Sequence, residues 1–98
     1  MMHYIAIVEE GDGTRATGIW FPDVPGCFSG GDSFEEAMAN APEALRVHLE
    51  LLLTDGGELP RPRTLAELRA DAEIADELQG NLVAIVPFTG LHFRPAAE

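Results

Sequence analysis

Ninety-eight residues leave room for one domain, because compact domains run about 50 to 250 residues and a second core would not fit. With 46% hydrophobic and 23% charged residues the chain matches an average soluble domain, which excludes wholesale disorder. Six arginines and no lysine against 17 acids give a net charge of −11, which repels phosphates and excludes nucleic-acid binding through a basic face.

The opening residues Met1-Met2-His3 lack the basic-then-apolar layout of a secretory signal. Cys27 is the only cysteine, so no internal disulfide or cysteine zinc cluster forms, and a reducing, cytoplasmic location is expected. The longest apolar runs, residues 5–8 and 82–86, fall far short of the roughly 20 residues that span a bilayer.

Tyr4-Ile5-Ala6-Ile7-Val8 is apolar and β-branched, and Gly11-Asp12-Gly13 is turn chemistry, so the chain opens as a strand entering a hairpin whose return strand is residues 14–21. Pro22, Pro25 and Gly26 make residues 21–26 a stiff loop. Residues 27–29 resume an extended path, and Gly30-Gly31-Asp32 turns the chain. Ser33 with Glu36 forms a capping box that starts a helix. Its apolar face comprises Phe34, Ala37, Met38, Ala41, Leu45, His48, Leu49 and Leu52, in three- and four-residue steps. Pro42 inside this pattern predicts a bend or opened turn near Met38, and Gly56-Gly57 ends the helix. Thr64 and Glu67 repeat the capping box before a second, acidic helix over residues 65–78, which Gly80-Asn81 stops. The last strand is residues 82–86, and no pattern follows Phe88.

The chain is thus expected to form a small α+β domain over residues 1–88, with strand, strand, strand, long helix, short helix and strand in order. The sheet should be mainly antiparallel with its helices packed on one face, and residues 89–98 form a tail without a separate DNA-binding domain. Ile5 and Ile7 point to one sheet face and Tyr4, Ala6 and Val8 to the other. Both faces are apolar and one long helix covers one of them, so a second copy of the chain is expected to bury the other.

Candidate chemistry is sparse. Glu9, Glu10, Asp12, Asp23, Asp32, Glu35 and Glu36 sit at turns and a helix start, where solvation and the helix dipole place acids without catalysis. Gly30-Gly31 is surrounded by acids and no Walker-type lysine follows, so an ordinary turn fits better than a phosphate cradle. His3, His48 and His92 are scattered; no metal, cofactor or catalytic residue is assigned, and Cys27 reads as a buried free cysteine. Trp20, Phe21, Pro22 and Pro25 form the most aromatic and rigid stretch, which suits a partner-binding anchor and equally suits closure of the core.

Phe21-Pro22-Asp23-Val24-Pro25-Gly26-Cys27, Ser29-Gly30-Gly31-Asp32-Ser33, Glu35-Glu36-Ala37, Asn40-Ala41 and Leu59-Pro60-Arg61-Pro62, after an apolar first strand, closely resemble the HicB family of antitoxins over residues 4–87. The resemblance implies a degraded ribonuclease-H-like domain that is not an enzyme, assembles as a dimer or tetramer, and neutralises a small HicA-type toxin that cleaves messenger RNA. The expected contacts are Trp20, Phe21, Pro22, Asp23 and Pro25 as anchor, with Asp23, Asp32, Glu35 and Glu36 as charged rim. Many family members continue into a helix-turn-helix or ribbon-helix-helix that binds the operator, for which residues 89–98 are too short. Direct nucleic-acid binding is therefore not expected, nor is membrane association. The rival readings are a metal-dependent nuclease of the same fold and an orphan regulatory domain.

Overall fold

A computed structural model of the chain describes residues 2–88; the expected tail and His92 lie outside the described residues. The elements are β1 (Met2–Glu9), β2 (Thr17–Trp20), β3 (Phe28–Gly31), α1 (Phe34–Thr54), α2 (Leu65–Arg69), α3 (Ala72–Gly80) and β4 (Leu82–Phe88). The strands form one antiparallel sheet in the order β3-β2-β1-β4, so β3 and β4 are its edges.

β2 begins three residues later than the sequence predicts, because Asp12 builds its own turn. Its Oδ1 accepts from the amides of Thr14 at 2.8 Å and Arg15 at 3.0 Å, holding residues 12–15 out of the ladder. The buried Thr17 Oγ1 accepts from the Gly11 amide at 3.1 Å and closes the hairpin. β3 in turn outlasts its prediction. Gly30 and Gly31 pair with Gly18 and Thr17 instead of turning, and a Cβ on Gly31 would lie 2.7 Å from the Ala37 amide nitrogen. Gly31 thereby lets α1 start close against the sheet.

Ser33 caps α1, its hydroxyl accepting from the Glu36 amide at 3.0 Å. The reciprocal bond of a capping box is shifted by one residue, since the Asp32 amide donates to Glu36 Oε1 at 2.6 Å. Pro42 does not divide the helix, which continues to Thr54. Ala37, Ala41, Leu45 and Leu49 are its buried residues, with Phe34, Met38 and Leu52 at their margin, as the periodicity requires.

The predicted second helix is two. Asp71 interrupts it, because its Oδ1 accepts from the Glu73 amide at 2.9 Å and caps α3 while its Oδ2 accepts from Arg63 Nη1 at 3.0 Å. The box at α2 is complete: Thr64 Oγ1 accepts from the Glu67 amide at 3.1 Å, and the Thr64 amide donates to Glu67 Oε1 at 2.8 Å. β4 extends to Phe88 through Pro87, a position open to proline because an edge strand needs bonds on one side only.

The helices are not all on one face. α1 buries Tyr4, Ala6, Val8, Ile19, Phe21 and Val86. On the opposite face Leu68 of α2 and Leu78 of α3 bury Ile7, with Ile5 and Trp20 partly buried beside them. Strand alternation makes both faces apolar, and the connector after α1 carries the chain from one to the other. Tyr4 pins it by donating its hydroxyl hydrogen to the Pro60 carbonyl at 2.6 Å.

Candidate partner-binding surface

Two successive turns give the loop between β2 and β3 its shape. The Val24 amide donates to the Phe21 carbonyl and the Cys27 amide to the Val24 carbonyl, both at 3.1 Å. Pro22 and Pro25 each follow the first residue of a turn, where their fixed φ fits, and Gly26 has φ +86°, as the third position of a type II turn demands. Phe21, Val24 and Cys27 face the core, which leaves Pro25 and Gly26 exposed.

Asp23 joins this loop to the connector. Its Oδ2 accepts from the Arg63 amide at 2.8 Å and its Oδ1 from Arg63 Nε at 2.7 Å. The same guanidinium reaches Asp71, so one arginine links the loop, the connector and the start of α3. Hydrogen bonds to Asp23 and then Asp71 raise the Arg63 pKa, and the Arg63 hydrogen bond, followed by that of the Glu73 amide, holds the Asp71 carboxyl below its ordinary value.

The residues expected at a partner contact therefore separate. Phe21 is 2% exposed and belongs to the α1-side core, and the Asp23 side chain is 7% exposed and already bound; neither offers a free side chain. Trp20 points to the opposite face and donates from Nε1 to Glu9 Oε2 at 2.9 Å. Pro22 is half-buried and Pro25 exposed. Asp32, Glu35 and Glu36 are exposed together at the start of α1.

A groove beside α1 was not foreseen. Phe28, Val47 and Leu51 line it over Cys27 and Ala44, with Glu43 at its rim. Phe28 is 70% and Leu51 59% exposed. Val47 and Leu51 stand four apart beside the main apolar stripe, so a wider stripe was legible in the helical spacing. Cys27 donates weakly to the Ala44 carbonyl at 3.8 Å, and burial pushes its thiol pKa up to about 11. The raised value favours the protonated thiol at neutral pH.

The model of the HicB-like antitoxins of bacterial toxin-antitoxin systems matches residues 4–94. The chain belongs to this family. A 14.9 kDa protein of the rep-hol intergenic region of Haemophilus phage HP1 is 41% identical over 98 residues, 100% of this chain and 68% of that protein. Antitoxin HicB 2 of Photorhabdus laumondii is 41% identical over 49 residues, which span 50% of this chain and only 35% of that protein. The crystal structure of the N-terminal domain of Burkholderia pseudomallei antitoxin HicB has a TM-score of 0.70 at 31% identity, covering 90% of this chain and 99% of that domain. A chain of a HicA3 and HicB3 toxin-antitoxin complex has a TM-score of 0.68 at 29% identity, with the same coverage.

Within this HicB-family fold, no group of three or more His, Cys, Asp or Glu side chains among the described residues is placed to hold a metal ion. No helix among them is long and apolar enough to cross a membrane. Five of their acids serve local structure: Asp12 a turn, Glu36 and Glu67 helix starts, Asp23 and Asp71 the Arg63 links.

Proposed function

We propose that this HicB-family chain is an antitoxin that binds a small HicA-type toxin and blocks its cleavage of messenger RNA by stoichiometric association, without catalysis of its own. The observation that carries this reading is the family match over residues 4–94; the likeness to a chain from a HicA3 and HicB3 complex supports it. The toxin-facing surface is the α1 side. Phe28, Val47 and Leu51 supply apolar contact, and α1 carries four glutamates against the single cation Arg46, which favours a basic, RNA-handling partner. Pro25, Asp32, Glu35 and Glu36 remain exposed contributors to it, while Pro22, Phe21 and Asp23 shape the loop from behind, and Trp20 lies on the far face.

The chain works in the cytoplasm as a homo-oligomer and does not itself bind nucleic acid, with residues 1–88 as its functional domain. Three antiparallel strands ahead of the long helix support the ribonuclease-H-like description. Co-expression with a HicA-type toxin of the same genome tests the reading. Growth should resume and the two proteins should co-elute as one complex; continued arrest with no complex overturns it. Leu51→Lys should weaken that complex without unfolding the antitoxin.

A further inference from the structure

The six large apolar side chains exposed among the described residues fall into two groups. Phe28, Val47 and Leu51 belong to the acid-flanked groove. Leu82, Val83 and Ile85 all lie on the edge strand β4, and Ile85 is 66% exposed. The sequence of that strand, LVAIVPF, contains no charged residue, in a chain whose net charge is −11.

We infer that β4 is the surface through which two copies of this chain pair, edge to edge and antiparallel, into one continuous sheet. This locates the self-association proposed above and rests on it. Edge strands carry unpaired backbone groups, and proteins guard them with short length, charge, proline, bulges or an overlying element. β3, the opposite edge, is guarded in that way. It has only four residues, and α1 lies over it, with Asn40 Nδ2 donating to the Gly30 carbonyl at 2.9 Å and Ser29 Oγ to the Ala37 carbonyl at 3.4 Å. β4 has seven residues, and its one guard, Pro87, stands near the end of the strand, which leaves residues 82–86 without charge or proline.

Charge selects the occupant. Two copies of an acidic chain repel wherever acids face acids, so the α1 groove is a poor self-contact and the uncharged strand a good one. Glu10 lines the hollow at the Leu82 end of the strand, and a two-fold axis sends the two copies of that end to opposite extremes of the pairing. With Ala84 on the axis, Val83 of one copy lies opposite Ile85 of the other, and Pro87 falls outside the paired segment. Val83 and Ile85 share a face with Ile7 and Ile5, their partners on β1. Pairing therefore extends the cluster formed by Ile7, Leu68 and Leu78 across the joint, and a two-fold contact of this kind closes on itself without propagating.

Sedimentation velocity of the full chain across a concentration series tests this, with circular dichroism to confirm folding. The wild type should be a dimer, Ile85→Lys a folded monomer throughout the series, and Leu51→Lys a dimer like the wild type. Ala84→Cys should be trapped as a covalent dimer by a short bis-maleimide, while the wild type, whose only cysteine is the buried Cys27, should not. A monomeric wild type overturns both this inference and the self-association reading. A dimer of Ile85→Lys as tight as the wild type overturns the β4 contact alone. If Ile85→Lys does not fold, the Ala84→Cys protein decides: a trapped dimer supports the contact and none overturns it.

Discussion

Arg63 makes its two ion pairs with residues on separate elements, Asp23 on the loop and Asp71 at the start of α3. Arg63→Ala leaves the enclosed Asp23 carboxylate without its side-chain partner, and stranding a buried acceptor costs about 1 to 3 kcal/mol. Urea denaturation should show a loss in that range, whereas Arg46→Ala, whose partners Glu43 and Glu50 are 67% and 29% exposed against 7% for Asp23, should leave the midpoint almost unchanged. The pH dependence follows from Asp71. Its folded pKa is depressed, so its contribution is present above the ordinary carboxylate pKa of about 4 and is lost as pH falls through the lower folded value. Wild-type stability should therefore drop in acid more steeply than that of Arg63→Ala. Cys27 has a raised pKa of about 11 from burial, so a disulfide reagent at neutral pH should modify it slowly in the native protein and rapidly in urea. Fast native labelling would show that the loop opens over α1.

α1 holds together across Pro42 because burial of its apolar face outweighs one missing hydrogen bond. Proline has no amide hydrogen to give the carbonyl four residues back, at Met38, yet Ala41 and Leu45 on either side are fully buried. Pro42→Ala should accordingly stabilise the protein by about 3 kcal/mol, less the entropy the proline removes from the unfolded chain, and thermal melting measures it. The opposite sign is expected at β3. Gly31→Ala would push a methyl group to 2.7 Å from the Ala37 amide nitrogen and 2.8 Å from Glu36 Cβ, and should lower the melting temperature by forcing α1 away from the sheet.

A net charge of −11 is a long-range property of the whole chain, and it separates partners before any contact forms. Association with a basic toxin should slow as salt rises, because screening removes the steering. In a gel shift on duplex DNA the isolated chain should produce no complex, since it lacks the cations whose counterion release drives such binding. The two apolar patches divide the remaining work. Leu51→Lys and Ile85→Lys should have separate effects, the first weakening toxin binding and the second self-association, so measuring both variants in both assays separates the surfaces.

The order of elements, the α1 face and the capping residues Ser33 and Thr64 were legible in the sequence, because each rests on contacts between residues a few positions apart. So were the two apolar faces of the sheet, which follow from strand alternation. The role of Asp23 was not legible: its partner Arg63 stands 40 residues away, and nothing local distinguishes a rim acid from a bound one. The same holds for Phe21, whose ring could close the core or face a partner until the turns at Pro22 and Pro25 aim it inward. The helix break at Asp71 combines a local cap on the Glu73 amide with the Arg63 contact, and the placement of α2 and α3 on the second face was decided by tertiary contacts such as Leu68 to Ile7. Local propensity specifies where a helix can start; which sheet face it covers depends on the path of the connector and the contacts that fasten it.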